Sequence, residues 1–177
     1  DDLMNICMVR RNTIFADLQA VISQLYSYQL ELGYEKKRGY WIDGDPVRVR
    51  AIFFLYFKML EPLLAIGKLS FLDMDEIEGY LEQLEKVEKE LQVSYVHNDM
   101  LALAAMLPIM KRGEDMLYFS DLSVKKVQEA KEYLLTEKYF PELSEMEKVY
   151  LTLHFLGGRL ASYSRDDEIS DENETVM

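Results

Sequence analysis

The chain has 177 residues, 49% of them hydrophobic, and a formal net charge of -12. That length allows one compact domain or two small ones with a sizeable core, and no uncharged apolar run reaches the eighteen residues of a membrane-spanning helix. A single cysteine, Cys7, excludes an intramolecular disulfide and suits a reducing cytoplasm, and no signal peptide is visible.

The charge is uneven. Residues 1 to 50 hold seven Lys or Arg and seven Asp or Glu, so the remaining 127 carry the whole deficit, and the last dozen hold six acids. An even spread of this charge would repel nucleic acid; a neutral amino-terminal third does not. The absence of a starting methionine and the acidic end "RDDEISDENETVM" suggest a piece of a longer chain.

In chain order, "DLMNICMVRRNTIFADL" reads as a short helix, a turn at Met8 and Val9, and a second helix starting at Asn12 or Thr13. Ile14, Leu18, Val21, Ile22 and Leu25 keep a period near 3.6. The spacing fits a helix-turn-helix whose first helix is missing. In "LELGYEKKRGYWIDGD", Leu30, Leu32 and Tyr34, then Tyr40 and Ile42, alternate with polar residues about a basic tip closed by Gly39. This predicts a β-hairpin, and a helix-turn-helix followed by such a hairpin is a winged helix. Asp45-Pro46 starts a helix with proline in its first turn. Arg48 and Arg50 flank its start, its aromatic middle is expected to be buried, and Pro62 to kink or end it.

About four helices are expected between residues 72 and 163. Asp73 or Asp75 caps the first, Asn98 or Asp99 the second (ending at Gly113), and Ser123 the third; Ser144 and Glu147 form a capping box for the last. The result is an all-α bundle, with a flexible linker after Ser164. The fold class is mainly α. Residues 1–45 form a partial winged helix-turn-helix with a β-hairpin wing, 46–69 a linking helix, 70–164 the bundle and 165–177 an acidic linker.

The last helix carries "VYLTLHFLGGRLA", with His154 among apolar residues. Two readings stand: a core histidine with one hydrogen bond, or a phosphoacceptor. A metal would need partners, and only His97, Cys7 and carboxylates remain, without ligand spacing. His97 reads as an exposed loop residue. Gly157-Gly158 costs the helix roughly 1 kcal/mol per glycine, which suggests close packing against another backbone. Arg10, Arg11, Asn12 and Thr13 are either a solvated helix start or donors for phosphate and base edges. Lys36, Lys37 and Arg38 are either a soluble loop or a wing against phosphate. No phosphate loop, GxSxG or paired-histidine motif is present, so no enzyme activity and no cofactor are expected.

The motif "MEKVYLTLHFLGGRLA" resembles the last helix of a PTS regulation domain, or PRD. The stretch "FADLQAVISQLYSYQLELGYEKKRGYWIDGDPVRVR" resembles the second winged helix of PRD activators. Relatives in that family include mannitol-operon activators, virulence regulators of the Mga type and, for the PRD alone, antiterminators. The resemblance covers about residues 1 to 165. It implies a cytoplasmic transcription regulator that binds DNA through its winged helix and pairs as a homodimer, with no membrane partner. It also implies that His154 accepts phosphate from the phosphotransferase-system proteins HPr or enzyme IIB. The family's other acceptor position falls on Ala105, counting back from Arg112, so one acceptor is missing here. The competing reading is a helical sensory or interaction module without DNA binding of its own.

Overall fold

The structure is a computed structural model describing residues 2–64, 72–112, 117–158 and 160–163. The expected helix stop at Gly113, the end of the linking segment at residue 69 and the acidic linker from 165 lie outside the described residues.

The described chain is mainly helical, with short antiparallel strand pairs. Helix α1 spans Asp2–Cys7, and Met8 turns the chain with φ +54°. Helix α2 spans Arg11–Ser27. It starts earlier than Asn12 or Thr13, because Arg10 already has the extended backbone of a cap and its carbonyl accepts from the Ile14 amide at 3.1 Å. Strands β1 (Glu31–Glu35) and β2 (Gly39–Asp43) form the expected hairpin, pairing Leu32 with Ile42 and Tyr34 with Tyr40. Gly39 takes φ +84° to close its tip, a conformation that side chains disfavour.

Helix α3 spans Pro46–Met59. The Asp45 carboxylate accepts from the Arg48 amide at 3.1 Å, and Pro46 fills a position whose N–H would have no helical partner. The helix ends before Pro62, which falls in the short α4, Glu61–Leu64. Of its aromatic middle, Phe57 is buried, while Phe53, Phe54 and Tyr56 are half-buried.

Helix α5 spans Met74–Leu91, with Asp73 as its cap accepting from the Asp75 and Glu76 amides. Its buried Ile77, Tyr80, Leu84 and Val87 recur every three or four residues, each contributing about 1.5–3 kcal/mol on burial. Helix α6, His97–Arg112, is the central element: residues 100 to 107 are all buried. It starts at His97 rather than after Asn98 or Asp99, because the Val96 carbonyl takes the first helical bonds, from Asp99 and Met100. The expected third helix is two, α7 (Asp121–Gln128) and α8 (Lys131–Tyr139). Ser123 is not its cap. It lies one turn inside α7, with its hydroxyl 2.8 Å from that of Ser120. The break falls at Ala130, whose extended backbone lets Val124, Val127 and Tyr133 pack together with Val149.

Helix α9 spans Glu145–Gly157. Gly157 and Gly158 end it rather than thin its middle, and what lies against Gly158 is the Tyr95 ring and the His154 carbonyl of its own helix, not the backbone of another element. The chain then returns as β4 (Leu160–Tyr163), antiparallel to β3 (Val93–Tyr95). The bundle is therefore not all-α. Non-local backbone pairing made this strand pair illegible in either segment alone.

Two apolar cores meet at α3. Leu25, Leu30 and Ile52 form the smaller one, with Leu32, Ile42, Val49 and Tyr56 around it. Phe57 belongs to the bundle core, where Val47, Phe53 and Phe54 also pack. One helix thus presents one face to the hairpin and another to the bundle.

Candidate functional site

The residues expected to meet DNA are all exposed: Arg10, Arg11, Asn12 and Thr13 at the start of α2, and Lys36, Lys37 and Arg38 at the hairpin tip. The structure brings two of them together. Arg11 and Lys36 line one cleft of about 630 Å³ between α1, α2 and the hairpin, walled by Ile14, Phe15, Tyr34 and Tyr40. The Tyr34 and Tyr40 rings lie 4.6 Å apart, and the Arg11 guanidinium sits 5.6 Å from the Phe15 ring. Arg38 belongs elsewhere. Its guanidinium stacks 4.4 Å from the Trp41 ring and lines a separate hollow with Pro46 and Val49. The alternation of the strand explains the split, since Tyr34 and Tyr40 share one face and Gly33 and Trp41 the other. The Trp41 indole crosses the backbone at Gly33, where any Cβ would collide with it.

His154 lies at the meeting point of α3, α6 and α9. Its half-buried ring is 4.7 Å from Phe54 of α3 and 4.8 Å, edge-on, from Tyr150 of α9. Burial pushes its pKa down to about 4, against the opposing pull of the Asp99 carboxylate. The imidazole is therefore neutral at pH 7, with a ring-nitrogen lone pair available as a nucleophile. Burial likewise raises the neighbouring Tyr150 hydroxyl to about 12. His97, the first residue of α6, is exposed. Ala105 is fully buried in the core of α6, so that position offers neither an acceptor nor a path to one.

Two ion pairs around His154 escaped the sequence reading. Lys58 of α3 reaches Asp99 of α6 at 2.5 Å, and its ammonium lies 5.4 Å from the Phe54 ring. Arg50 of α3 pairs with Glu147 of α9, both almost wholly buried, and also donates to the Pro46 carbonyl at 3.2 Å. Glu147 thus forms only half of the expected capping box: its amide donates to the Ser144 hydroxyl at 3.3 Å, while its carboxylate goes to Arg50. A signal was present. Arg50 falls on the same stripe of α3 as Phe53, Phe54 and Phe57, and a cation on a buried stripe demands an anion.

No protein-family model and no curated protein matches this chain.

Among the described residues no helix is long and apolar enough to cross a membrane. The sites therefore stand on geometry: a cleft holding Arg11 and Lys36, and a neutral histidine packed against the helix that carries the hairpin.

Proposed function

We propose that the chain is part of a bacterial transcription regulator of the PRD type, cytoplasmic and dimeric. In this reading α1, α2 and the hairpin belong to a DNA-binding winged helix, and the bundle is a regulatory domain phosphorylated on His154 by HPr or enzyme IIB. The observation that carries the reading is the placement of His154: half-buried, kept neutral, and in ring contact with Phe54 on α3. A phosphoryl group there adds about two negative charges to an apolar, acid-containing contact, and α3 joins that contact to the hairpin core.

Incubation with phosphoenolpyruvate, enzyme I, HPr and the cognate enzyme IIB is expected to place an acid-labile phosphate on the chain, and His154→Ala to abolish it. An unlabelled wild-type chain, or a label that survives the substitution, overturns the reading.

The exposed apolar side chains of α2, with Phe15 53%, Val21 42% and Ile22 40% exposed, favour a second reading: a helical interaction module without DNA contact. Duplex binding by the full-length parent separates the two. In the regulator, Arg11→Ala weakens that binding by about 1–3 kcal/mol if the guanidinium reads a base; in the module, there is no binding to weaken.

A further inference from the structure

Three side chains of α3 follow one another at steps of four, Arg50, Phe54 and Lys58, and so share a face of the helix. Each meets a different group of the bundle: Arg50 meets Glu147, Phe54 meets the His154 ring and Lys58 meets Asp99. Lys58 and His154 therefore have two neighbours in common. The Phe54 ring lies against both, and the Asp99 charge acts on both. The two cations differ in freedom. The Arg50 side chain is only 4% exposed and locked to Glu147, whereas the Lys58 side chain is 25% exposed.

We propose that Lys58 is the counter-cation of a phosphoryl group on His154, leaving Asp99 for the phosphoryl oxygens and shifting α3 as it does so. The proposal rests on the reading of His154 as a phosphoacceptor. In the transfer, a ring nitrogen of neutral His154 attacks the phosphorus of an N-phosphoryl donor, either the phosphohistidine of a carrier protein or phosphoramidate. The new N–P bond forms as the donor's P–N bond breaks. The donor nitrogen leaves with the bonding pair and takes up a proton, and the surplus ring proton of His154 passes to water. The product places about two negative charges between Phe54 and Tyr150. A lysine ammonium on its flexible stem can move to meet them. Asp99, once left, stays in the first turn of α6, where the helix dipole favours a carboxylate. The Lys58 ammonium lies 5.4 Å from the Phe54 ring that also meets His154, so its departure changes the surroundings of Phe54, and Ile52 on the same helix is buried with Leu25 and Leu30. The exchange therefore reaches the hairpin.

Phosphoramidate labelling of the chain tests this, with acid-labile phosphate read by intact mass and the hairpin read by emission from Trp41, the single tryptophan. Lys58→Met keeps an apolar stem over Phe54 and removes the charge. It is expected to slow labelling of His154 about tenfold, the worth of one charge-assisted contact, and to abolish the Trp41 response; Lys58→Arg retains both. Lys58→Gln makes the same comparison if circular dichroism shows Lys58→Met to be unfolded. Wild-type labelling rate and wild-type Trp41 response in the charge-free variant overturn the role of Lys58 and leave the acceptor reading standing. No label on the wild type, or a label that persists in His154→Ala, overturns the acceptor reading and this proposal with it.

Discussion

His154 and Arg50 show how burial sets the behaviour of a single side chain. The Arg50–Glu147 pair adds little net stability, because desolvating two charges offsets most of their attraction. What it does is fix position: sliding α3 one turn along α9 would leave two buried charges apart. His154 has the opposite character, since burial keeps its charged form out. In the folded chain it takes a proton only near pH 4, whereas an unperturbed histidine does so near 6.5. Between those values the unfolded chain holds the extra proton, so stability rises with pH across the window and is lost on acidification. That loss is expected to reach about 1–3 kcal/mol by about pH 4. Urea unfolding of the wild type and of His154→Gln at several pH values reads it. The wild type should show the steeper fall below about pH 6.5; parallel curves would contradict the burial of this ring.

At the scale of elements, the carboxyl end of α9 offers a sharp comparison. A Cβ on Gly158 would stand 2.8 Å from the Tyr95 ring and from the His154 carbonyl, while one on Gly157 would meet nothing within 4 Å. Gly158→Ala is expected to cost about 1–3 kcal/mol through overpacking, and Gly157→Ala to be neutral or to stabilise by up to about 1 kcal/mol. Thermal unfolding of the two variants measures the difference, and equal effects would contradict the placement of Tyr95. Elements with local signals were legible in the sequence: the hairpin from its alternation and glycine-closed tip, α3 from Asp45-Pro46, α5 from a cap at Asp73 or Asp75, and α9 from Ser144. Elements set by distant partners were not. The break between α7 and α8 has no glycine or proline and follows from packing on Val149. The β3–β4 pair joins residues far apart in sequence. In the candidate site His154 could be singled out, but Phe54, Lys58 and Asp99 could not, because they come from other helices and only folding brings them together.

For the whole molecule, the consequence lies in how the hairpin core and the bundle core are joined. Helix α3 gives Ile52 to the hairpin core and Phe57 to the bundle core, and on its bundle side it meets Glu147, His154 and Asp99. In the proposed regulator, phosphorylation of His154 would place about two negative charges at a contact now made by aromatic rings, against the helix on which the hairpin core packs. The exposed Arg11 and Lys36 lie in a cleft that the hairpin helps to wall, so a movement of the hairpin alters their spacing. Amide hydrogen exchange on the chain before and after phosphorylation of His154 tests this account most directly. The account predicts altered protection in α3 and in Glu31–Asp43 as well as around α9; a change confined to α9 and α6, with α3 and the hairpin unaltered, would contradict it.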